Sequence, residues 1–102
     1  MKPEDVYEVF VLLDHASDFE DDDESISGTA ALGIAAGLAL ASDLAYGLPE
    51  VAVEVPSSAR ACAERAVEQV QRWSKTGLGL RELRLASVMI DLGRELGVVE
   101  RV

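Results

Sequence analysis

Residues 27–46 read Ser27-Gly28-Thr29-Ala30-Ala31-Leu32-Gly33-Ile34-Ala35-Ala36-Gly37-Leu38-Ala39-Leu40-Ala41-Ser42-Asp43-Leu44-Ala45-Tyr46, and the fold turns on them. They are apolar nearly all round, with Asp43 the one charge. Thr29, Gly33, Gly37, Ala41 and Ala45 recur at every fourth position, so a helix aligns them in one stripe of small side chains. Such a stripe lets another backbone approach closely. Gly33 and Gly37 each cost about 1 kcal/mol of helix propensity relative to alanine, and close packing is the economical reason to carry them. About 20 apolar residues also suffice to cross a bilayer, and small-residue stripes recur in membrane dimers. Against that, alanine and glycine are barely lipophilic, Asp43 interrupts the segment, and no basic anchor flanks it. The stretch therefore reads as the central, fully buried helix of a soluble bundle, with Gly33, Gly37, Ala41 and Ala45 as packing positions.

On its N-terminal side, Pro3 followed by Glu4 and Asp5 is a helix start. Val6, Val9, Phe10 and Leu13 follow at helical spacing, and Val11 and Leu12 widen that face. Residues 6–13 also fit a strand; the helix, over about 3–16, is the preferred reading. Between the two helices lies Ser17-Asp18-Phe19-Glu20-Asp21-Asp22-Asp23-Glu24-Ser25, where six like charges repel and need water. This is an acidic loop over 17–25, and Ser25 or Ser27 caps the helix of about 27–46.

On its C-terminal side, Gly47 and Pro49 stop that helix. Residues 51–55 alternate between Pro49 and Pro56, as a short strand or an extended connector able to pair with its copy in a second chain. Ser57 or Ser58 caps a helix over about 57–74, with Ala59, Cys62, Ala63, Ala66, Val67, Val70 and Trp73 inward. Gly77 and Gly79 break the chain before a last helix, about 79–96, whose inward residues are expected to be Leu80, Leu83, Ala86, Val88, Ile90 and Leu96, with Met89 and Leu92 nearby. Gly97 stops it. The expectation is an all-α domain over 1–102: a small four-helix antiparallel bundle made of two helical hairpins, with an extended connector at 50–55. A faint echo between Asp43-Leu44-Ala45 and Glu95-Leu96-Gly97 would suit a duplicated hairpin.

Charge divides the chain in two. Residues 1–58 hold thirteen Asp and Glu against one Lys, and residues 59–102 hold eight Lys and Arg against six Asp and Glu, which makes up the net −10. Charge of this size governs solubility and partner choice rather than fold. It disfavours anionic lipid and nucleic acid as partners. Arg81, Arg84 and Arg94 form a basic face, but the first half repels phosphate over a Debye length of about 8 Å. Seven Arg against two Lys, with many Ala, Gly and Val, hint at a GC-rich genome; salt adaptation is the bland account of the acidic excess. A single Cys, Cys62, forms no internal disulfide, and no signal peptide is recognisable at the N-terminus, so the expected location is cytoplasmic.

The sequence offers little chemistry. Asp18, Glu20 and Asp22 alternate like the first ligands of a calcium loop, but Asp23 then stands where glycine is needed and Thr29 where a bidentate glutamate is needed. They are weak metal candidates and no cofactor is expected. His15, between Asp14 and Asp18, reads as a histidine in the last helical turn rather than a ligand or base. Cys62 reads as a core thiol without a neighbouring base. No phosphate loop, nucleophile elbow or zinc-protease motif is present.

The expected role is therefore non-catalytic: an acidic helical module that binds a basic protein surface. Asp18, Glu20, Asp21, Asp22, Asp23 and Glu24 would steer the encounter, aided by Glu4, Asp5 and Glu8, and Phe19 would anchor it. Trp73, beside Arg72 and Lys75, reads either as a second anchor or as a cap on the core. In size, charge and helix content the chain is similar to bacterial immunity proteins, which neutralise basic toxin nucleases. That likeness is one of class and implies an inhibitor or antitoxin role, with no residue to carry over. The alternatives are a self-assembling subunit, whose acidic half meets the basic helices of another copy, and a divalent-metal or enzymatic domain built on Asp14, His15, Asp18 and Glu20.

Overall fold

Pro3, with Glu4 and Asp5 in the first turn, opens a 17-residue helix, α1 (Pro3–Phe19). Its acids sit where the positive end of the helix dipole stabilises them. In the computed structural model, which describes residues 2–19, 23–73 and 77–100, three further helices follow: α2 (Gly28–Ala45), α3 (Ala59–Gln71) and α4 (Leu80–Leu96). The protein is all-helical, as the sequence implies, and no strand occurs among the described residues. Residues 6–13 belong to α1, so the strand alternative is excluded.

Side-chain caps fix two helix starts. Ser27 Oγ accepts from the Ala30 N–H at 3.1 Å and Ser58 Oγ from the Ala61 N–H at 3.0 Å, so the second candidate serine caps in each case. Gly97 ends α4 in the left-handed conformation, φ +80°, and the Val98 N–H returns to the Gly93 carbonyl at 2.9 Å, the usual glycine termination.

Helix α1 packs on α2 and α3, and α4 also packs on α2 and α3. Around the bundle the order is α1, α2, α4, α3. Three contacts give the directions. Gly33 lies against Leu92, Gly37 against Met89, and Asp43 pairs with Arg81, so α2 and α4 run antiparallel. The start of α3 meets the end of α4, because Arg60 donates to the Leu96 carbonyl. Every adjacent pair is therefore antiparallel, in an up-down-down-up path. The thirteen residues between Ala45 and Ala59 cross the length of the bundle instead of turning at one end. A 17-residue helix is about 25 Å long, well within the reach of thirteen extended residues. The connector at 50–55 lies within this crossover strap.

The core comprises Val6, Val9, Leu12, Leu13 and Ala16 of α1, Ile34 and Ala41 of α2, the expected inner face of α3, and Leu85, Met89, Leu92 and Leu96 of α4. The radius of gyration is 12.5 Å, close to the roughly 13 Å of a compact 100-residue chain.

Three expectations need correction. First, α1 continues to Phe19, so Ser17, Asp18 and Phe19 are helical rather than part of the loop. Ala16 is fully buried and extends the 9-12-13-16 stripe by one turn. Second, α2 is not fully buried. Ala30, Ile34, Gly37, Ala41 and Ala45 face in, while Leu32 is 74% exposed and Ala35, Ala36 and Ala39 also face water. Four helices in a ring leave each at a corner, and exposed alanine costs little. By length and composition α2 could cross a membrane, with mean hydropathy 1.4 over 18 residues; here its small-residue line lies on α4. Third, the inner face of α4 is turned from the expected one. Leu85, Met89 and Leu92 are buried, whereas Leu80 and Leu83 are exposed, at 68% and 43%.

Candidate functional site: the acidic end of the bundle

The end of α1, the loop into α2, the start of α3 and the end of α4 converge at one end of the molecule. Charge concentrates there because the acidic segment is the α1–α2 connection. Glu20, Asp21 and Asp22 lie outside the described residues. Of the rest, Asp18 and Glu24 are exposed, and Asp23 is held.

Asp23 works as a clasp. Its Oδ2 accepts from the Arg60 N–H at 3.1 Å, and its Oδ1 accepts from the Ser25 N–H at 3.0 Å and from the Ser25 hydroxyl. The Ser25 hydroxyl, the backbone N–H groups of Arg60 and Ser25 and the Arg60 charge hold its carboxyl below the ordinary aspartate range. A charged acceptor at the start of α3 also complements the helix dipole. The Arg60 guanidinium completes the joint. It donates to the Ser25 carbonyl at 2.8 Å, to the Leu96 carbonyl, and to Glu64 at 2.9 Å. One side chain thus ties the α2 entry, the α4 exit and its own helix. The i, i+4 spacing of Arg60 and Glu64 marks their pair in the sequence; nothing local marks the two carbonyl contacts.

Phe19, on the last residue of α1, is 53% exposed. Its ring lies 6.3 Å from the His15 ring, tilted by 31°, as i, i+4 spacing allows. With Asp23, Ser57, Ser58 and Ala59 it borders an open cleft of about 410 Å³. An aromatic ring, two hydroxyl-bearing residues and a fixed carboxylate therefore share one depression, with Asp18 on the helix turn beside it.

Trp73 is elsewhere. It is 6% exposed and lines a cavity of about 230 Å³ with Val70, Leu78, Ala86, Ile90 and Val99. It is a core residue and presents no surface to a partner, which corrects its inclusion among the binding candidates. The packing positions lie where the small-residue stripe implies. Gly33 and Gly37 admit Leu92, Met89 and Leu13, and Ala41 and Ala45 are buried. Gly93, not among the expected packing positions, brings α4 close against α3. A Cβ there would stand 2.9 Å from Val67 Cγ1 and 2.5 Å from Val99 Cγ2.

Of the weak metal candidates, Asp18 is exposed and Glu20 and Asp22 lie outside the described residues; no group of three His, Cys, Asp or Glu gathers among the described residues. Cys62 is buried, donates its thiol to the Pro56 carbonyl at 3.5 Å, and has its pKa raised by burial. A protonated, enclosed thiol is a poor nucleophile. Of the most exposed large apolar residues, Tyr46 at 90% and Leu80 lie at the opposite end of the bundle, and Leu32 lies one turn into α2, beside the end of α4; short sequence patterns do not mark them. No family model, curated protein or solved structure matches this chain.

Proposed function

We propose that the protein is a non-catalytic acidic interaction module that captures a basic surface of a protein partner, as an adaptor, inhibitor or antitoxin of the cytoplasm would. The observation that carries this reading is Phe19: an aromatic residue more than half exposed, beside Asp18 and Asp23, at the rim of an open cleft. Large aromatic anchors supply much of the energy of protein interfaces. Dense surrounding charge raises encounter rates and rejects acidic competitors. Nucleic acid and anionic lipid remain disfavoured by the net charge.

The test leaves the clasp intact. Asp18→Lys with Glu24→Lys, and separately Phe19→Ala, are made in the full chain and checked for helicity. Each should lose most capture of the partner recovered from the native host. Undiminished capture by both folded variants would remove the reading.

A second reading, a self-assembling subunit, draws on the largely apolar outer face of α2, where Leu32 projects beside the groove above Gly33. Light scattering decides it: a monomer at every salt concentration excludes obligate assembly.

A further inference from the structure

The crossover strap has a free backbone edge. Between Pro49 and Pro56 the chain forms no helix or turn; where such a segment runs extended, successive residues turn their side chains to opposite faces and their N–H and C=O groups to opposite edges. Two contacts identify the inner edge. The Glu54 carbonyl accepts from Arg65 at 3.3 Å and the Pro56 carbonyl accepts from Cys62; both donors are on α3. Glu54 and Pro56, two residues apart, thus direct their carbonyls at the same helix, the alternation of an extended chain, and we carry that alternation back along the strap. The N–H and C=O groups of Val51, Val53 and Val55 belong to the other edge, and no hydrogen bond engages them among the described residues. Side chains alternate as well. Val53 and Val55 pack against the core, while Glu50, Ala52 and Glu54 face water, as does Val51 at the start of the segment. Such a row of unpaired backbone groups is a ready template for an added strand.

The outward side chains select the occupant. Glu50 and Glu54 are four residues apart, about 13 Å in extended chain, with small Ala52 between them. Residues 46–58 contain no Lys or Arg. The strap also ends at Ser57 and Ser58, on the cleft shared with Phe19 and Asp23, so a segment lying along it would run into the acidic end. We propose that residues 50–55 are a docking edge for an extended segment of a protein partner. That segment adds as a β-strand to Val51, Val53 and Val55, with basic side chains four residues apart against Glu50 and Glu54 and a bulky residue over Ala52. This rests on the acidic-module reading and narrows the partner to an extended basic segment.

The probe is the capped heptapeptide Thr-Lys-Thr-Tyr-Thr-Lys-Thr, titrated into the ¹⁵N-labelled full chain. The amides of Val51, Val53 and Val55 should shift and exchange more slowly. A peptide N-methylated at alternate residues should bind roughly tenfold or more weakly, as should the original peptide with the Glu50→Lys, Glu54→Lys variant, which changes exposed side chains only. Equal binding of the N-methylated peptide would overturn the proposal. So would shifts confined to residues 17–26, a result that leaves the acidic-module reading standing. An unperturbed spectrum also overturns it, the module itself being judged by host capture with the Phe19 and Asp18 variants. Protection of Val51–Val55 without peptide, together with a doubled mass, would assign the edge to a second copy instead.

Discussion

The Asp23 carboxylate accepts the backbone N–H of Arg60 at 3.1 Å, while the Arg60 guanidinium donates to the carbonyl of Ser25, two residues beyond Asp23, at 2.8 Å. The two residues are 37 apart in sequence and bracket the acidic end from both sides. An acid from the charged run has thereby become part of the frame that positions the others, which separates its fate from that of Asp18 and Glu24.

Charge on Asp23 should show in the acid limb of stability. Its folded-state pKa lies below the ordinary value, so the unfolded chain takes up its proton first. The contribution is present above the ordinary aspartate pKa, about 4, and is lost as pH falls through the folded value. Asp23→Asn should be less stable than the parent at pH 7, and the gap should close as pH falls below about 4. Chemical denaturation at several pH values measures this; a gap independent of pH would contradict it.

Glycine replacements should sort by contact. Gly28 has nothing within 4 Å of a Cβ, so Gly28→Ala should stabilise by about 0.5 kcal/mol through the unfolded chain. At Gly93 the Cβ would stand 2.9 Å from Val67, a fully buried residue. Gly93→Ala should destabilise by about 1–3 kcal/mol, the range for overpacked cores. Opposite signs in denaturant midpoints would support the α3–α4 approach; equal gains would refute it.

Trp73 combines burial with an indole N–H that has no hydrogen-bond partner among the described residues. A buried unpaired donor costs about 1–3 kcal/mol, so Trp73→Phe should come out within about 1 kcal/mol of the parent, whereas Trp73→Ala should cost about 3–5 kcal/mol. Neither should weaken partner capture by protein that remains folded. A capture defect in a stable Trp73→Phe variant would return this residue to the interface.

Cys62 is 2% exposed and packed under the strap. A thiol reagent should modify the native protein only as fast as it opens, with the rate rising as denaturant is added. Rapid labelling of the native chain would show that the strap near Pro56 lifts easily.

Much of this was readable where polar and apolar residues contrast. On α3, Arg60, Glu64, Arg65 and Glu68 alternate with Ala59, Cys62, Ala63 and Val67, so the pattern itself named the buried face. Pro3, Ser58 and Gly97 announced helix ends because each satisfies a local backbone need. Phe19 was legible as an aromatic residue stranded among acids. On α2 that contrast vanishes, since alanine, glycine and leucine occupy every side; small-residue spacing marked the face that meets α4 but did not reveal that Leu32 and Ala36 face water. On α4 two apolar stripes overlap, and which one is buried depends on the tilt of the neighbouring helices.

The composition and local order of residues 1–102 were enough to require helices, their approximate ends and an acidic first half, because these depend on neighbours within about a turn. The direction of α3 and the clasp between Asp23 and Arg60 follow from a strap that crosses the bundle instead of turning back, and the burial of Trp73 from the packing of α3 on α4. Thirteen residues are long enough for either path, and the choice is made by how four helices together bury their apolar faces, a property of the packed whole that no single segment carries.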